Sequence, residues 1–165
     1  MIQEWKREPY SISTERARLD IDIIHGFLSR AYWSVGVPRE IVSKALDHSL
    51  NFGLFQGEEQ VGLARVVTDY ATFAYVADVF VLEAYRGLGL SKWLMQCMVS
   101  HPELQHLRLW TLRTRDAHDC IASLGLPLHL LRSARWSAFS LMSTNRQHRR
   151  PASKFAADKL IIRIG

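Results

Sequence analysis

The sequence predicts an α+β fold in which a mixed, mainly antiparallel sheet is flanked by helices. Three observations support this: helical spacing of apolar residues in the first third of the chain, short apolar runs separated by polar turns between residues 51 and 82, and a glycine-rich junction followed by an amphipathic stretch and one more apolar run. A chain of 165 residues is long enough for one domain with a sizeable core.

Two helices are predicted before the strands. Apolar residues recur at three- and four-residue steps within Leu19–Trp33, and Asp20 or Asp22 can cap the start of this helix. A second helix is predicted over Pro38–His48, because proline suits the first helical position and Glu40 favours the first turn.

Three extended runs then predict an antiparallel meander. They cover Asn51–Gln56, Val61–Val67 and Phe73–Leu82, and short polar turns separate them. The last run is apolar on both faces except at Asp78, so it is expected to be a central strand covered on both sides.

One helix and one further strand complete the predicted core. After Gly87 and Gly89, apolar residues recur at helical spacing from Leu90 until Pro102. Because Leu107–Leu112 is reached through a helix, it is predicted to run parallel to the preceding strand of the meander.

The net charge of +5 is unevenly distributed along the chain. Residues 1–119 carry 13 Lys and Arg against 15 Asp and Glu, which gives −2, whereas residues 120–165 carry 8 against one acid, which gives +7. The basic character therefore belongs to the tail. We expect residues 1–119 to form the core and residues 120–165 to be a divergent tail of the same domain.

Composition excludes several classes of protein. With 48% hydrophobic and 22% charged residues, the chain is neither disordered for most of its length nor a collagen or coiled-coil rod. No apolar run reaches the roughly 18 residues of a membrane span, and the charged N-terminus does not resemble a secretory signal. Two cysteines do not make a disulfide framework. A soluble protein in a reduced, cytoplasmic setting is expected, with no membrane partner and no metal site.

The strongest chemical signal is the loop from Tyr85 to Ser91, between a buried strand and an amphipathic helix. Its glycines let backbone amides approach a ligand closely, the helix N-terminus attracts anions, and Arg86 adds a cation. The loop lacks the Gly-Lys-Ser/Thr ending of a P-loop and the third glycine of a dinucleotide fingerprint. The alternative is a glycine-rich connection that only turns the chain.

The segment from Asp78 to Met95 resembles motif A of the GCN5-related N-acetyltransferases (GNATs), whose pattern is Arg/Gln-x-x-Gly-x-Gly/Ala. Arg86, Gly89 and Ser91 match this pattern, with serine as a departure at the last position. The similarity extends over roughly residues 50–119.

This resemblance implies a GNAT-like sheet with splayed parallel central strands and acetyl-CoA as the co-substrate. The pyrophosphate would lie on the loop amides, and the pantetheine arm would pair with the backbone of the strand before the loop. The same strand could offer an amide to the thioester oxygen. The implied cofactor-binding residues are Val79, Phe80, Val81, Arg86, Gly87, Leu88, Gly89, Leu90 and Ser91.

Acetyl transfer to an amine requires a base, and two residues are candidates. Asp78 is the carboxylate inside the central apolar run, where burial would raise its pKa; the alternative is a structural carboxylate bonded to a neighbouring loop. His118 follows the parallel strand; the alternative is a surface or capping histidine. By analogy with the family, Tyr32 and Trp33 would cover the acceptor site, unless they are core aromatics.

The tail departs from the family pattern. GNATs usually carry a Leu-Tyr-x-Lys-x-Gly-Phe motif after this strand, but here Ile121 occupies the place of the tyrosine. Back-translation of residues 119–128 allows that motif in a neighbouring reading frame. We therefore hypothesise that residues from about Cys120 onward are translated in a shifted frame, which the codons of the gene would decide.

The alternative is a genuinely divergent C-terminus with a basic surface, Arg146 to Lys154, that binds anions or nucleic acid nonspecifically. Under either hypothesis the final strands of the fold are in doubt, and an open sheet edge is expected. Lys159–Arg163 could supply a replacement strand of unpredicted register.

These observations predict an acetyl-CoA-dependent N-acetyltransferase that acts on a small-molecule amine by direct attack, with activity reduced by the altered tail. The alternative is a catalytically impaired CoA-binding or regulatory protein. A nucleic-acid partner is disfavoured, because the five tryptophans do not alternate with basic residues. The oligomeric state is left open.

Overall fold

The computed structural model describes residues 1–113 and 159–163, which form seven strands and three α-helices. The elements, in chain order, are β1 (Glu4–Arg7), β2 (Tyr10–Ser13), α1 (Ile21–Leu28), α2 (Arg39–Asp47), β3 (Leu50–Gln56), β4 (Glu59–Thr68), β5 (Phe73–Val81), α3 (Leu90–Val99), β6 (Leu109–Arg113) and β7 (Lys159–Arg163). His118 and the tail from 120 to 158 lie outside the described residues.

The strands form one sheet in which spatial order follows chain order, from β1 to β7. Within the described part of the chain, β5 and β6 are the parallel pair and all other neighbours are antiparallel. The predicted α+β architecture is confirmed, including the meander and the crossover through α3. Predicted and observed ends of the strands in the meander differ by one or two residues.

The N-terminal hairpin of β1 and β2 was not predicted. Its sequence mixes charged and aromatic residues, and only the end of β2, Ile12 and Ser13, is buried. Trp5 of β1 packs against Phe52 and His101, with ring centroids 5.9 and 6.2 Å away. The hairpin is therefore stabilised by tertiary contacts, which a local apolar pattern does not predict.

The C-terminal strand corrects one expectation. β7 has the bounds proposed from the sequence, and it pairs antiparallel with β6 in a register that places Leu109 opposite Arg163 and Arg113 opposite Lys159. The expected open edge beside the last core strand is therefore wrong for β6, because β7 satisfies that edge.

Helices cover both faces of the sheet, and each face has its own apolar core. α3 packs on one face through Leu94 and Met98, which are fully buried. α1 and α2 pack on the other face, where Phe27 of α1 stacks on Phe80 of β5 with ring centroids 4.0 Å apart. β5 is therefore covered on both sides, as its sequence predicted.

Helix α1 starts where predicted but is shorter than expected. The Asp20 carboxylate accepts the backbone N–H groups of Asp22 and Ile23, which makes Asp20 the N-cap. The helix ends at Leu28 and does not continue to Trp33. The last turn tightens, because the Leu28 carbonyl accepts the Ala31 N–H three residues on at 3.1 Å, and the Ser34 hydroxyl donates to the same carbonyl at 2.7 Å.

Candidate functional site

The glycine loop joins the end of β5 to the start of α3. The backbone of Gly87 and Gly89 has φ values of +80° and +72°, which favour glycine, and Gly89 is the N-cap of the helix. A side chain at either position would meet nothing within 4 Å. The outer surface of the loop is therefore open, which is compatible with close approach of a ligand to the backbone.

The amides of this loop are available for an anion. No acceptor among the described residues takes the backbone N–H of Gly87, Leu88, Gly89 or Leu90, and Gly89 supplies no capping side chain to α3. The helix N-terminus adds partial positive charge at the same place. Unsatisfied amides next to a helix start are the arrangement that binds phosphate groups.

Arg86 connects the loop to β5. Its Nε donates to the Val81 carbonyl at 3.3 Å, and the residue as a whole is exposed. This contact holds the guanidinium beside the end of β5, where its positive charge and the open amides attract the same anion.

One edge of β5 is unpaired next to the loop. The pairing with β6 ends at Val76 opposite Leu112, so within the described residues the stretch from Ala77 to Val81 has no partner on that side. The Leu82 N–H bonds to Val61 on β4, and backbone groups alternate along a strand. The backbone groups of Val79 and Val81 thereby face the edge that no described strand pairs with; the Val81 carbonyl accepts from Arg86, which leaves the Val81 N–H and both groups of Val79 for an extended ligand.

A β-bulge interrupts β5 at Asp78. Leu63 of β4 lies opposite Phe80, but Arg65 lies opposite Ala77, so β5 carries one extra residue here. Asp78 takes the extra position with φ +49°, a left-handed conformation that aspartate tolerates better than most residues. The bulge turns this carboxylate toward α1 and α2, where it lines a cavity.

The Asp78 carboxylate has two partners. Arg65 Nε donates to Oδ2 at 2.7 Å, and the Trp33 indole N–H donates to Oδ1 at 3.2 Å. The side chains of Asp78 and Arg65 are only 14% and 16% exposed, so this ion pair is largely shielded from water. The guanidinium stabilises the ionised carboxylate.

Sequence reasoning singled out Asp78 but missed Arg65. A signal was present, because Arg65 is the charged residue within the buried run of β4, as Asp78 is within β5. Two opposite charges inside neighbouring apolar strands favour a cross-strand pair. Trp33 was expected to cover the acceptor site or to be a core aromatic; with 44% exposure it is not in the core.

A cavity of about 150 Å³ lies between the two N-terminal helices and the Arg65–Asp78 pair. Its other walls are apolar except for one serine. The lining residues are Leu28, Ser34, Val37, Ile41, Val42, Ala45, Leu46, Arg65 and Asp78. The cavity and the glycine loop therefore both lie next to β5. Asp78 lines the cavity, and Val81 ends the strand just before the loop.

Comparison with known proteins identifies the family. The sequence model of the acetyltransferase (GNAT) family matches residues 2–125, about three quarters of the chain. The chain belongs to the GNAT family. GNAT enzymes transfer an acetyl group from acetyl-CoA, so acetyl-CoA is the co-substrate.

Individual relatives agree with this membership. A Gibberella zeae protein named as a putative acetyltransferase is 34% identical over 137 residues, covering 69% of this chain and 76% of that protein. A crystal structure from Xanthomonas campestris, titled as a putative acetyltransferase of the GNAT family, is 48% identical with a TM-score of 0.69, covering 72% of this chain and 84% of that one.

A more distant GNAT shares the fold. A GNAT acetyltransferase from Elizabethkingia anophelis, solved with acetyl-CoA bound, is 14% identical with a TM-score of 0.54, covering 72% of this chain and 73% of that one. The predicted GNAT resemblance and the predicted co-substrate are thus confirmed.

The sequence-predicted site residues of this GNAT chain fall into four groups: loop, strand, bulge and one residue outside the described part of the chain. The loop residues from Arg86 to Ser91 follow the strand residues from Val79 to Val81 directly, and Asp78 adjoins the latter at the bulge. His118 lies outside the described residues. None of the helices in the described ranges is long and apolar enough to cross a membrane.

Proposed function

We propose that the chain transfers the acetyl group of acetyl-CoA to the nitrogen of a small-molecule amine by direct attack. The observation that carries this proposal is the row of open amides from Gly87 to Leu90 beside the free edge of β5. A pyrophosphate fits the first feature, and an extended chain with amide groups fits the second.

In this proposal the loop binds the diphosphate and the strand binds the arm. The amides from Gly87 to Ser91 and the Arg86 guanidinium bind the negatively charged oxygens of the diphosphate. The backbone groups of Val79 and the N–H of Val81 pair with the amides of pantetheine. This arrangement places the thioester beside β5, near the bulge at Asp78.

The chemistry then needs a neutral amine next to the thioester carbon. The acceptor enters as the neutral amine, because the Arg65–Asp78 pair leaves no net negative charge for an ammonium ion. Its nitrogen attacks the carbonyl carbon, a C–N bond forms, a backbone N–H of β5 stabilises the oxyanion, and the Asp78 carboxylate takes one proton from the nitrogen. The C–S bond breaks, and this proton passes from Asp78 to the departing CoA thiolate.

The first experiment tests donor binding. Gly89→Glu places a carboxylate and a strained backbone where the pyrophosphate would lie, so CoA affinity measured by isothermal titration is expected to fall at least about tenfold, equivalent to about 1.4 kcal/mol.

Gly36→Glu is the matched control for Gly89→Glu. Gly36 has the same φ of +72° and equally open surroundings, but it lies in the loop before α2. Its CoA affinity is expected to equal that of the wild type. Equal affinities for wild type and Gly89→Glu would contradict the placement of the pyrophosphate.

The second experiment separates the enzyme from a CoA-binding protein without activity. Release of free CoA thiol is followed with a panel of primary amines, and release above the spontaneous rate is expected. CoA binding without any thiol release would contradict the proposed transfer. Burial raises the pKa of the Cys97 thiol to about 11, so this cysteine is not expected to consume the thiol reagent.

A further inference from the structure

The cavity beneath α1 and α2 has a polar end and an apolar body. Arg65 and Asp78 form the polar end, and six aliphatic or alanine side chains from the helices and their connecting loop form most of the remaining wall. An acceptor placed in this cavity would present its amine to the carboxylate and its remaining atoms to hydrocarbon.

The charges at the polar end neutralise each other. Arg65 Nε and Asp78 Oδ2 lie 2.7 Å apart, and Arg65 Nη1 donates to the Ser49 hydroxyl at 2.9 Å. No other charged side chain among the described residues lines the cavity. A second charge on the acceptor would therefore enter an apolar wall without a counter-charge, which is strongly unfavourable.

The size of the cavity limits the acceptor. A volume of about 150 Å³ is comparable to that of an apolar cavity that accommodates one benzene molecule. An acceptor with an apolar body of about six or seven carbon atoms fills this space, whereas a longer or branched polar amine leaves polar groups without partners.

We infer that the acceptor is a primary amine on a compact apolar body, with no second charged group. This inference rests on the proposed function, because it places the acceptor beside the strand that would hold the thioester. It deepens that function by naming the substrate class, and it separates this class from polyamines, amino acids and aminosugars.

The test compares amines of one shape and different charge. Benzylamine is the probe, 4-(aminomethyl)benzoate adds a carboxylate to the same ring, and p-xylylenediamine adds a second ammonium group. We expect kcat/KM for benzylamine to exceed that of both charged analogues by about 100-fold. Equal rates for the three amines would overturn the inference.

A cavity-filling variant tests the location. Ala45 lines the cavity from α2, so Ala45→Leu shortens the space available to the acceptor. We expect KM for benzylamine to rise about tenfold or more while KM for ethylamine changes less than about twofold. Lys44→Leu is the control: Lys44 is exposed on the same helix and does not line the cavity, and both KM values should match the wild type.

Two readouts keep the result interpretable if Ala45→Leu is unstable. Thermal unfolding shows whether the variant folds, and Ala45→Val provides a smaller change in the same direction. An unchanged benzylamine KM in both folded variants would contradict the cavity assignment.

Failure of this inference is distinguishable from failure of the proposed function. If the charged analogues or polar amines are acetylated as well as benzylamine, the substrate class is wrong but acetyl transfer stands. If CoA binds and no amine in the panel releases thiol, acetyl transfer itself is wrong, and the inference falls with it.

Discussion

Asp78 combines a strained backbone, a shielded ion pair and a position on the cavity wall. Its carboxylate is held by Arg65 from the neighbouring strand and by Trp33 from the loop after α1. Three elements therefore meet at one carboxyl group. The arrangement fits a base that is kept in place while the amine approaches, and it equally provides a cross-strand support, so the two roles need separate measurements.

The variant Asp78→Asn is expected to lower kcat for amine acetylation by about 100-fold or more, because an amide cannot take a proton from the attacking nitrogen. Asparagine tolerates the same left-handed backbone and preserves the shape of the side chain. The loss should fall on kcat, with KM for the amine changed less than about twofold, which a merely structural role would not cause.

Asp22→Asn serves as the matched control for this substitution. Asp22 forms an Arg39 ion pair of 2.8 Å on the exposed face of α1, and its loss should leave kcat unchanged. If Asp78→Asn lowered kcat no more than Asp22→Asn does, Asp78 would be a support and not the base.

His101 is a buried histidine without a full set of partners. It is 1% exposed, its Nδ1 accepts the Glu103 N–H at 3.2 Å, and its Nε2 has no partner among the described residues. Burial, the largest cause, lowers the pKa of this imidazole below its usual 6.5; the nearby Glu103 opposes the shift and the N-terminal charge adds to it.

The lowered pKa of His101 makes the free energy of unfolding depend on pH. The unfolded chain binds a proton near pH 6.5, whereas the folded chain does so only at lower pH, so stability is full above that value and falls as pH decreases through this range. Urea unfolding at pH about 7 and about 5 measures the loss.

The variant His101→Asn is expected to flatten this pH dependence while retaining an acceptor for the Glu103 amide. His106→Asn is the control, since His106 is exposed and its positive φ suits asparagine. An unchanged slope in His101→Asn would assign the pH dependence to other groups.

The backbones of β4 and β5 lie close together at Gly62. A Cβ at this position would lie 2.7 Å from the Phe80 carbonyl oxygen, which is backbone and cannot rotate away. The contact lies two residues from the bulge at Asp78. The glycine therefore maintains the spacing of the strands that carry the proposed site.

Replacement of Gly62 by alanine is expected to cost about 1–3 kcal/mol of unfolding free energy through overpacking. Gly26→Ala is the opposite case: Gly26 lies within α1, and a Cβ there meets nothing within 4 Å, so about 0.5–1 kcal/mol of stabilisation is expected. Chemical denaturation of both variants measures the two changes in unfolding free energy, which are expected to have opposite signs. Similar stabilities for both variants would contradict the close approach of the strands.

Elements with strong periodicity were predictable from the sequence, and those that depend on tertiary contacts were not. β5 and α3 follow from long apolar patterns and the glycines between them. The early end of α1 is accompanied by individual contacts, such as that of the Ser34 hydroxyl with a carbonyl six residues earlier in the chain. Single contacts of this kind leave no periodic signal.

The contiguous part of the candidate site was predictable from the sequence, and the part formed by tertiary contacts was not. The loop from Arg86 to Ser91 is contiguous, so its motif is visible in the sequence. The ion pair of Asp78 joins residues 13 positions apart in different strands, and its recognition requires the register of β4 against β5. The bulge shifts that register by one residue and hides it from simple alternation.

For the whole molecule, β7 closes the β6 edge with a segment from the basic tail. We propose that the change in charge composition after residue 119 reflects a change of reading frame, and the codons for residues 119–128 test this. This change does not prevent the C-terminal segment Lys159–Arg163 from adding to the sheet.

Deletion of residues 159–165 is expected to lower the thermal unfolding midpoint and to promote self-association, because it exposes the backbone groups of β6. Sedimentation velocity and thermal unfolding measure the two effects. Deletion of residues 164–165 alone leaves β7 in place and is the control. A monomer with unchanged unfolding after the longer deletion would show that β7 adds nothing to the sheet.

The strand order of the sheet is the same as the order in which the strands are synthesised. Each strand from β2 onward therefore meets a partner that has already left the ribosome, and none has to wait for a segment made later. The hairpin of β1 and β2 and the meander from β3 to β5 need only short connections, whereas α1 and α2 are made before β3 can pair with β2, and α3 before β6 can pair with β5. Assembly during translation can thus proceed from the N-terminal hairpin outward, with these long connections as its slow steps.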